Sequence, residues 1–398
     1  MSRLEELIQQ LCPDGVEYSK LVDISDILYG YPCDATKFND DNVGLPLIRI
    51  RDVLIGTTTT YTTEKVPPEY IIHTGDLLVG MDGNFHVGNW KDSCGVLCQR
   101  VCRVQSKDEN IVLNGFLSHY LPPVIKQIEL GKPGGTVKHL LAKDVNAIVI
   151  PIPPLEVQRE IVRILDQFTE LTAELTAELT ARKKQFEYYR NIILRSCRNS
   201  QIKTLGQICD FVRGPFGGSL KKEIFTDEGY AIYEQQHAIY GEFKFRYHVD
   251  EQKYKEMIRF AVKPGDLIMS CSGTMGKITI IPNDAPAGII NQALLKLTPS
   301  SVINNKYLKY CFEDTITEQM NSNARGGAIK NVASVAVLKN IEIQVPPIEE
   351  QRRIVSILDI FDALCNNLTS GLPAEIEARR KQYEYYRDKL LTFQEAKA

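Results

Sequence analysis

Arginine, lysine, asparagine and glutamine set among loop-forming residues are the side chains that read base edges and hold phosphates. Arg49 and Arg51 follow an apolar, strand-like run at 45–50 and precede a threonine-rich segment. Arginine reads guanine through two parallel hydrogen bonds; the alternative is a solvated strand end. The segment Gly80-Met81-Asp82-Gly83-Asn84-Phe85-His86 joins two strand-like stretches and is rich in hairpin residues. Asn84, Phe85 and His86 are candidates to reach base edges or stack on a base, against the alternative of a plain turn. The matching loop at 270–277 offers Ser272, Thr274 and Lys277 for bases or phosphate. Gln235, Gln236 and His237 occupy a polar loop position, and glutamine pairs with adenine. Two Gly-Gly-x-x-Lys elements end on Lys138 and Lys330, the second beside Arg325. Exposed backbone N–H groups and an ammonium suit a phosphate, although tight turns also need glycine.

Other chemistries find less support. Cys94, Cys98 and Cys102 lie four apart near His86, a spacing that suggests a metal. The alternation Val96, Cys98, Arg100, Cys102 reads instead as one strand. The ten cysteines, spread over 398 residues, fit reduced thiols better than a disulfide framework. Adenine methylation needs an acidic or amide residue before Pro-Pro and an aromatic; the four Pro-Pro pairs here follow Val66, Leu121, Ile152 and Val345. No phosphate loop of the Gly-x-x-x-x-Gly-Lys-Ser/Thr type occurs. Glu242 and Lys244 form a Glu-x-Lys pair without the Pro-Asp of a nuclease core. The net charge of -3 excludes a chain that coats nucleic acid by overall charge, so any DNA-binding surface must be local. The absence of an apolar run of about 18 residues, with Arg3, Glu5 and Glu6 near the start, leads us to expect a cytoplasmic protein with no membrane partner.

These candidates are carried on a duplicated framework. Pro153-Pro154-Leu155-Glu156-Val157-Gln158-Arg159 returns as Pro346-Pro347-Ile348-Glu349-Glu350-Gln351-Arg352, and the match continues through Asp166 and Asp359. Lys184-Gln185-Phe186-Glu187-Tyr188-Tyr189-Arg190 returns as Lys381-Gln382-Tyr383-Glu384-Tyr385-Tyr386-Arg387. The first offset is 193 positions and the second 197, so the second copy is four residues longer between the blocks. The globular stretches match weakly, through Gly75-Asp76 with Gly265-Asp266, Cys98-Gln99 with Asn291-Gln292, and the two Gly-Gly elements. Leu4, Leu7, Ile8, Leu11 and Cys12 resemble the end of the first long helix, which suggests a closed, pseudo-two-fold arrangement.

Each helix opens after Pro-Pro and carries an apolar stripe, at 161, 164, 165, 168, 171, 175 and 179 in the first. Continuous from 155 to 196, that helix is about 60 Å long. Its middle repeats Thr-Ala-Glu-Leu; the second helix's matching leucines are Leu364, Leu368 and Leu372, followed by the extra tetrapeptide Pro373-Ala374-Glu375-Ile376, with Gly371 and Pro373 as local breaks. One tetrapeptide adds about 6 Å and turns the far end by about 40° beyond a full circle. Neighbouring base pairs differ by about 3.4 Å and about 35°. Repeat number is therefore a candidate ruler between two DNA half-sites, against the alternative of ordinary dimerising helices.

The paired helical blocks with the Gly-Asp-Leu and Gly-Gly-x-x-Lys anchors resemble the specificity subunits of type I restriction–modification systems over essentially the whole chain. The resemblance implies an α+β fold: two globular α/β target-recognition domains separated by two long antiparallel helices, a coiled-coil-like spacer. The corresponding boundaries are 1–19 for the N-terminal helix and lead-in, 20–152 and 200–345 for the two domains, and 153–199 and 346–398 for the helical spacers. It further implies a non-catalytic chain that recognises a two-part target in double-stranded DNA and docks two methylating subunits on its helices. Gln158, Arg159, Phe186, Tyr189, Gln351, Arg352, Tyr383 and Tyr386 are the docking candidates. The chain itself would hold no cofactor; S-adenosylmethionine, ATP and Mg belong to the partners, including the motor and nuclease subunits. A stand-alone DNA-binding regulator is the alternative, and would bind its target tightly without methylating subunits.

Overall fold

The computed structural model describes residues 3–132, 138–197, 199–216, 218–271, 276–313, 335–366 and 370–396. The chain forms two units, one of Met1–Thr176 with Ile376–Ala398 and the other of Ala177–Glu375.

In the first unit a four-stranded antiparallel sheet runs in the order Ser25–Tyr29, Val101–Ser106, Leu77–Gly80, Val87–Asn89. A five-stranded sheet lies beside it, in which Leu45–Ile48 and Cys94–Leu97 pair in parallel. The second unit repeats the four-stranded order with Cys209–Arg213, Leu294–Pro299, Leu267–Ser270 and Ile278–Ile280. It repeats the parallel pair with Tyr230–Tyr233 and Gly288–Ile290. A two-stranded ribbon closes each base, Glu17–Lys20 with Val149–Ile152 and Gln201–Thr204 with Glu342–Val345. The weak sequence match thus hides one topology built twice.

Successive residues of a strand point to opposite faces. Leu77 and Val79 turn toward Phe116, Leu121 and Ile125 of the helix Asn114–Gly131, while Leu78 packs with Ile48, Ile72 and Trp90. The sheet is covered on both sides. Val157, Ile161 and Leu165 bury the first turns of the long helix in the same core, and Ile354, Val355 and Leu358 do so in the second unit.

Two repeated polar residues fasten these helices. Gln158 is fully buried: its Oε1 accepts from Leu113 N (2.9 Å), and its Nε2 donates to the carbonyls of Ile111 and Pro153 (2.8 Å each). Gln351 does the same with Asn304 N (2.7 Å) and the carbonyls of Val302 (3.0 Å) and Pro346 (2.8 Å). Their repetition reflects this internal bracket, which corrects the docking assignment of both glutamines. Further along, Asp166 binds His119 Nε2 (2.8 Å) and Asp359 accepts from the Tyr310 hydroxyl (2.8 Å), the equivalent tether made with a different side chain.

That difference makes one tether sensitive to acid. Burial, the largest cause, pulls the His119 imidazole below its ordinary range, helped by Arg387 and opposed by Asp166. The neutral ring donates from Nε2 to Asp166 and accepts at Nδ1 from the Tyr383 hydroxyl (3.0 Å). Below the ordinary histidine range the unfolded chain takes up a proton that the folded one does not, so stability is lost as pH falls toward the lowered value. The slope reaches about 1.4 kcal/mol per pH unit at most. His119→Tyr, the residue type of the second unit, is expected to flatten the melting temperature between pH 7 and pH 5, as followed by scanning calorimetry.

The first long helix is continuous over Leu155–Arg195. Leu171, Leu175 and Leu179 are half-buried, and Thr169, Thr172 and Thr176 fold their hydroxyls back onto the carbonyl four residues earlier. Each of these hydroxyls is thus satisfied within the helix. The second helix is two, Ile348–Asn366 and Leu372–Leu390, with Pro373 tolerated in the first turn of the latter. In the second unit Phe186 stacks on Phe361 (6.3 Å) while Cys365 faces Arg182 and Lys183, so the segments run antiparallel. In the first unit Phe168 stacks on Tyr386 (5.4 Å). There the helix Arg3–Leu11 shares a core with Leu391, and Val16 N donates to the Gln394 carbonyl (2.9 Å).

Candidate nucleic-acid interface

At one end of the first unit's four-stranded sheet three chain reversals converge. Gly30 lies so close to the Cys98 carbonyl that a Cβ would come within 2.1 Å of it, a contact only glycine permits. The four-residue turn at 98–101 is closed by Val101 N donating to the Cys98 carbonyl (3.3 Å), and Met81 N at the start of the hairpin donates to Arg100 O (2.8 Å). The hairpin carries Asn84 exposed and His86 half-buried. Phe85 is a core residue packed among the residues of the helix Asn114–Gly131, which corrects its assignment as a base-stacking group. Asp82 is held by Arg100 (3.4 Å) and His139 (2.8 Å).

Arg49 stands at the N-cap position of the short helix Ile50–Val53, so the strand ends at Ile48, earlier than the apolar run suggests. Both Arg49 and Arg51 donate to Thr60 Oγ1, which donates in turn to Asp40 (3.1 Å). The Arg51 side chain is 63% exposed and keeps donors free for an acceptor in solvent. Lys138 is half-buried and donates to the carbonyl of Glu129 (2.7 Å), which ties off a helix end.

The second unit builds the same end differently. Gly214 faces the Asn291 carbonyl at a distance a Cβ would cut to 1.9 Å, Leu294 N closes the turn on Asn291 O (3.2 Å), and Cys271 N donates to Ala293 O (2.8 Å). Lys277 is exposed beside this hairpin; Ser272, Thr274, Arg325 and Lys330 lie outside the described residues. Gln235, Gln236 and His237 sit on the helix Gln235–Tyr240 and not in a loop. His237 is fully buried: Nδ1 accepts from Glu234 N (2.7 Å) and Nε2 donates to Lys244 O (3.0 Å), against Phe243 and Phe245. It is the counterpart of Asp52, which accepts from Arg49 N (2.9 Å), and its role is to cap the helix. Gln235 and Gln236 are half-buried.

Residue type and spacing alone do not single out Phe216. It is 92% exposed and shares an open pocket with Arg213, Arg259, Phe260 and Gln292. A lone aromatic between Gly214-Pro215 and Gly217-Gly218 was the available signal, since turn residues on both sides leave it no core to join.

The cysteine run at 94–102 is two strands, Cys94–Leu97 and Val101–Ser106, parted by a turn with Arg100 at φ 71°. Burial pushes the Cys102 thiol up to about 12. Among the described residues no three His, Cys, Asp or Glu side chains could hold a metal together, and no helix is long and apolar enough to cross a membrane.

The family model described as type I restriction modification DNA specificity domain matches twice, over residues 13–182 and 198–378. The chain belongs to this family. A putative type I restriction enzyme specificity subunit of Haemophilus influenzae is 33% identical over 344 residues, 81% of this chain and 84% of that one. The EcoR124I/EcoR124II specificity subunit of Escherichia coli is 35% identical over 310 residues, 73% of each. In fold, the chain is similar to a chain in a structure described as the structural basis of complex assembly and conformational transition of the type I R-M system (TM-score 0.62, 20% identity, 95% and 98% covered). It is similar also to the specificity subunit of M. genitalium (TM-score 0.53, 16% identity, 95% and 96% covered).

As a specificity subunit the chain is a recognition component and not a catalyst. On its helices Arg159, Arg352, Tyr189 and Tyr386 are exposed, with Tyr188 against Tyr189 and Tyr385 against Tyr386 at 5.5 and 5.3 Å. Phe186 is buried against Phe361, and Tyr383 is half-buried on His119, so neither offers a free docking face, a correction with the same cause as for the glutamines.

Proposed function

We propose that this specificity subunit recognises a two-part sequence in double-stranded DNA, the module at 20–152 reading one half and that at 200–345 the other. The observation that carries the reading is one sheet end built twice with different loops: Asn84, Arg51 and the Asp82 cluster in one unit, Phe216, Arg213, Arg259 and Lys277 in the other. Sharing a scaffold while differing in loops is how one fold comes to read two sequences. Arg51, Asn84 and Lys277 are proposed DNA contacts; His86, Gln235 and Gln236 border them.

Two methylating subunits dock on the helices 153–199 and 346–398 through Arg159, Tyr189, Arg352 and Tyr386, whose exposure fits a partner surface. These partners bring S-adenosylmethionine, and motor and nuclease subunits bring ATP and Mg. The complex acts on DNA in the cytoplasm. The Thr-Ala-Glu-Leu units set the spacer between the half-sites. Long-read methylation mapping in cells carrying the system tests the reading: two defined runs separated by a fixed, undefined spacer are expected.

Phe216→Ala is expected to leave the melting temperature unchanged, because the ring is almost wholly in solvent. It should weaken binding to one half of the target about tenfold or more, the range found when an aromatic that packs on bases is removed. Binding titrations of the complex on duplexes altered in either half would read this out.

A further inference from the structure

The two modules have diverged, so a residue they share needs a reason. Most have a visible one. Asp76 and Asp266 each accept from the backbone three residues before them (2.9 Å at His73 N and at Lys263 N). Gly56 and Gly241 sit at φ 79° and 70°, where glycine is favoured. Asp166 and Asp359 tether the long helices to His119 and Tyr310. Gln99 and Gln292 have no such task. Each is the second residue of the equivalent four-residue turn, at 98–101 and 291–294. Both are exposed, and neither side chain has a hydrogen-bonding partner among the described residues. The turn does not demand glutamine, since its other positions differ, Cys98 against Asn291 and Arg100 against Ala293. Even its backbone differs, with Arg100 at φ 71° and no positive φ at Ala293.

Their location gives a reason. In both units the residue after the glutamine accepts a hydrogen bond from the first residue of the hairpin, Met81 N to Arg100 O and Cys271 N to Ala293 O (2.8 Å each). The glutamine is therefore fixed at the sheet end where the loops differ. A primary amide offers one donor and one acceptor side by side, the pattern that matches N7 and the amino group of adenine in the major groove.

We infer that Gln99 and Gln292 are equivalent adenine-reading residues, one in each module. Each contacts an adenine in its own half-site, while the surrounding loops read what distinguishes the halves. The inference rests on the proposed two-part recognition. The test uses the full chain with its methylating subunits and compares wild type, Gln99→Ala and Gln292→Ala on duplexes carrying every base at each position of the mapped target. Each variant should keep the wild-type melting temperature and lose, by about ten- to a hundredfold, its preference for adenine at one position. The two positions should fall in different halves. Unchanged preference at every position, or equal weakening on all sequences as a phosphate contact would give, overturns the inference. A wild-type complex with no two-part target overturns the reading beneath it, a result visible before either variant is made.

Discussion

Deleting residues 172–175 is expected to abolish methylation of the native target and to create a new one with the same two halves and a spacer one or two base pairs shorter. The four residues form one Thr-Ala-Glu-Leu unit within the continuous helix Leu155–Arg195. Their removal shortens that helix by about 6 Å and turns its C-terminal part by about 40° beyond a full circle, against about 3.4 Å and 35° for one base pair. The rotation favours one base pair and the rise nearly two. Because each threonine bonds a carbonyl within its own helix and each leucine takes the half-buried position of the last, the cut ends rejoin in register. Loss of folding is therefore not the expected outcome. Methylation mapping distinguishes the possibilities, and an unchanged spacer would rule out the helix as a ruler.

A second large effect is expected at Gln351. Replacing it with alanine leaves Asn304 N and the carbonyls of Val302 and Pro346 without their partner in a fully buried site. An unsatisfied buried group with an accompanying cavity costs about 3 kcal/mol, which lowers the melting temperature of a unit this size by about 10 °C. Calorimetry should show the loss in one transition, and Gln158→Ala should show it in the other. If instead either glutamine is a docking residue, the melting temperature stays and only the affinity for methylating subunits falls.

The duplication, the long helices and the loops between anchors were legible because they leave periodic or repeated marks. What misled was the meaning of repetition. An identical residue in two copies signals either a shared partner or a shared internal bond; repetition alone points Gln158 and Gln351 to partners, whereas burial gives them, and the merely similar Phe186, to the core. The pairing of His237 with Asp52 as helix caps was hidden because the side chains differ and only the backbone they serve is the same. Phe85 lies in a loop by sequence, yet its ring enters the core, a direction that turn composition does not reveal. Phe216 escaped notice because the modules match poorly there, and that divergence is itself expected of a reading surface. Gly371 and Pro373 mark in sequence a place where the second helix can part, and the structure has two helices there, Ile348–Asn366 and Leu372–Leu390.

The central claim, one module for each half-site, is tested most directly by mapping methylation in cells carrying the methylating subunits with wild-type chain, Asn84→Ala or Phe216→Ala. Two defined runs at a fixed separation are predicted for the wild type, with Asn84→Ala relaxing one run and Phe216→Ala the other. A single continuous run, or both variants relaxing the same run, would contradict it.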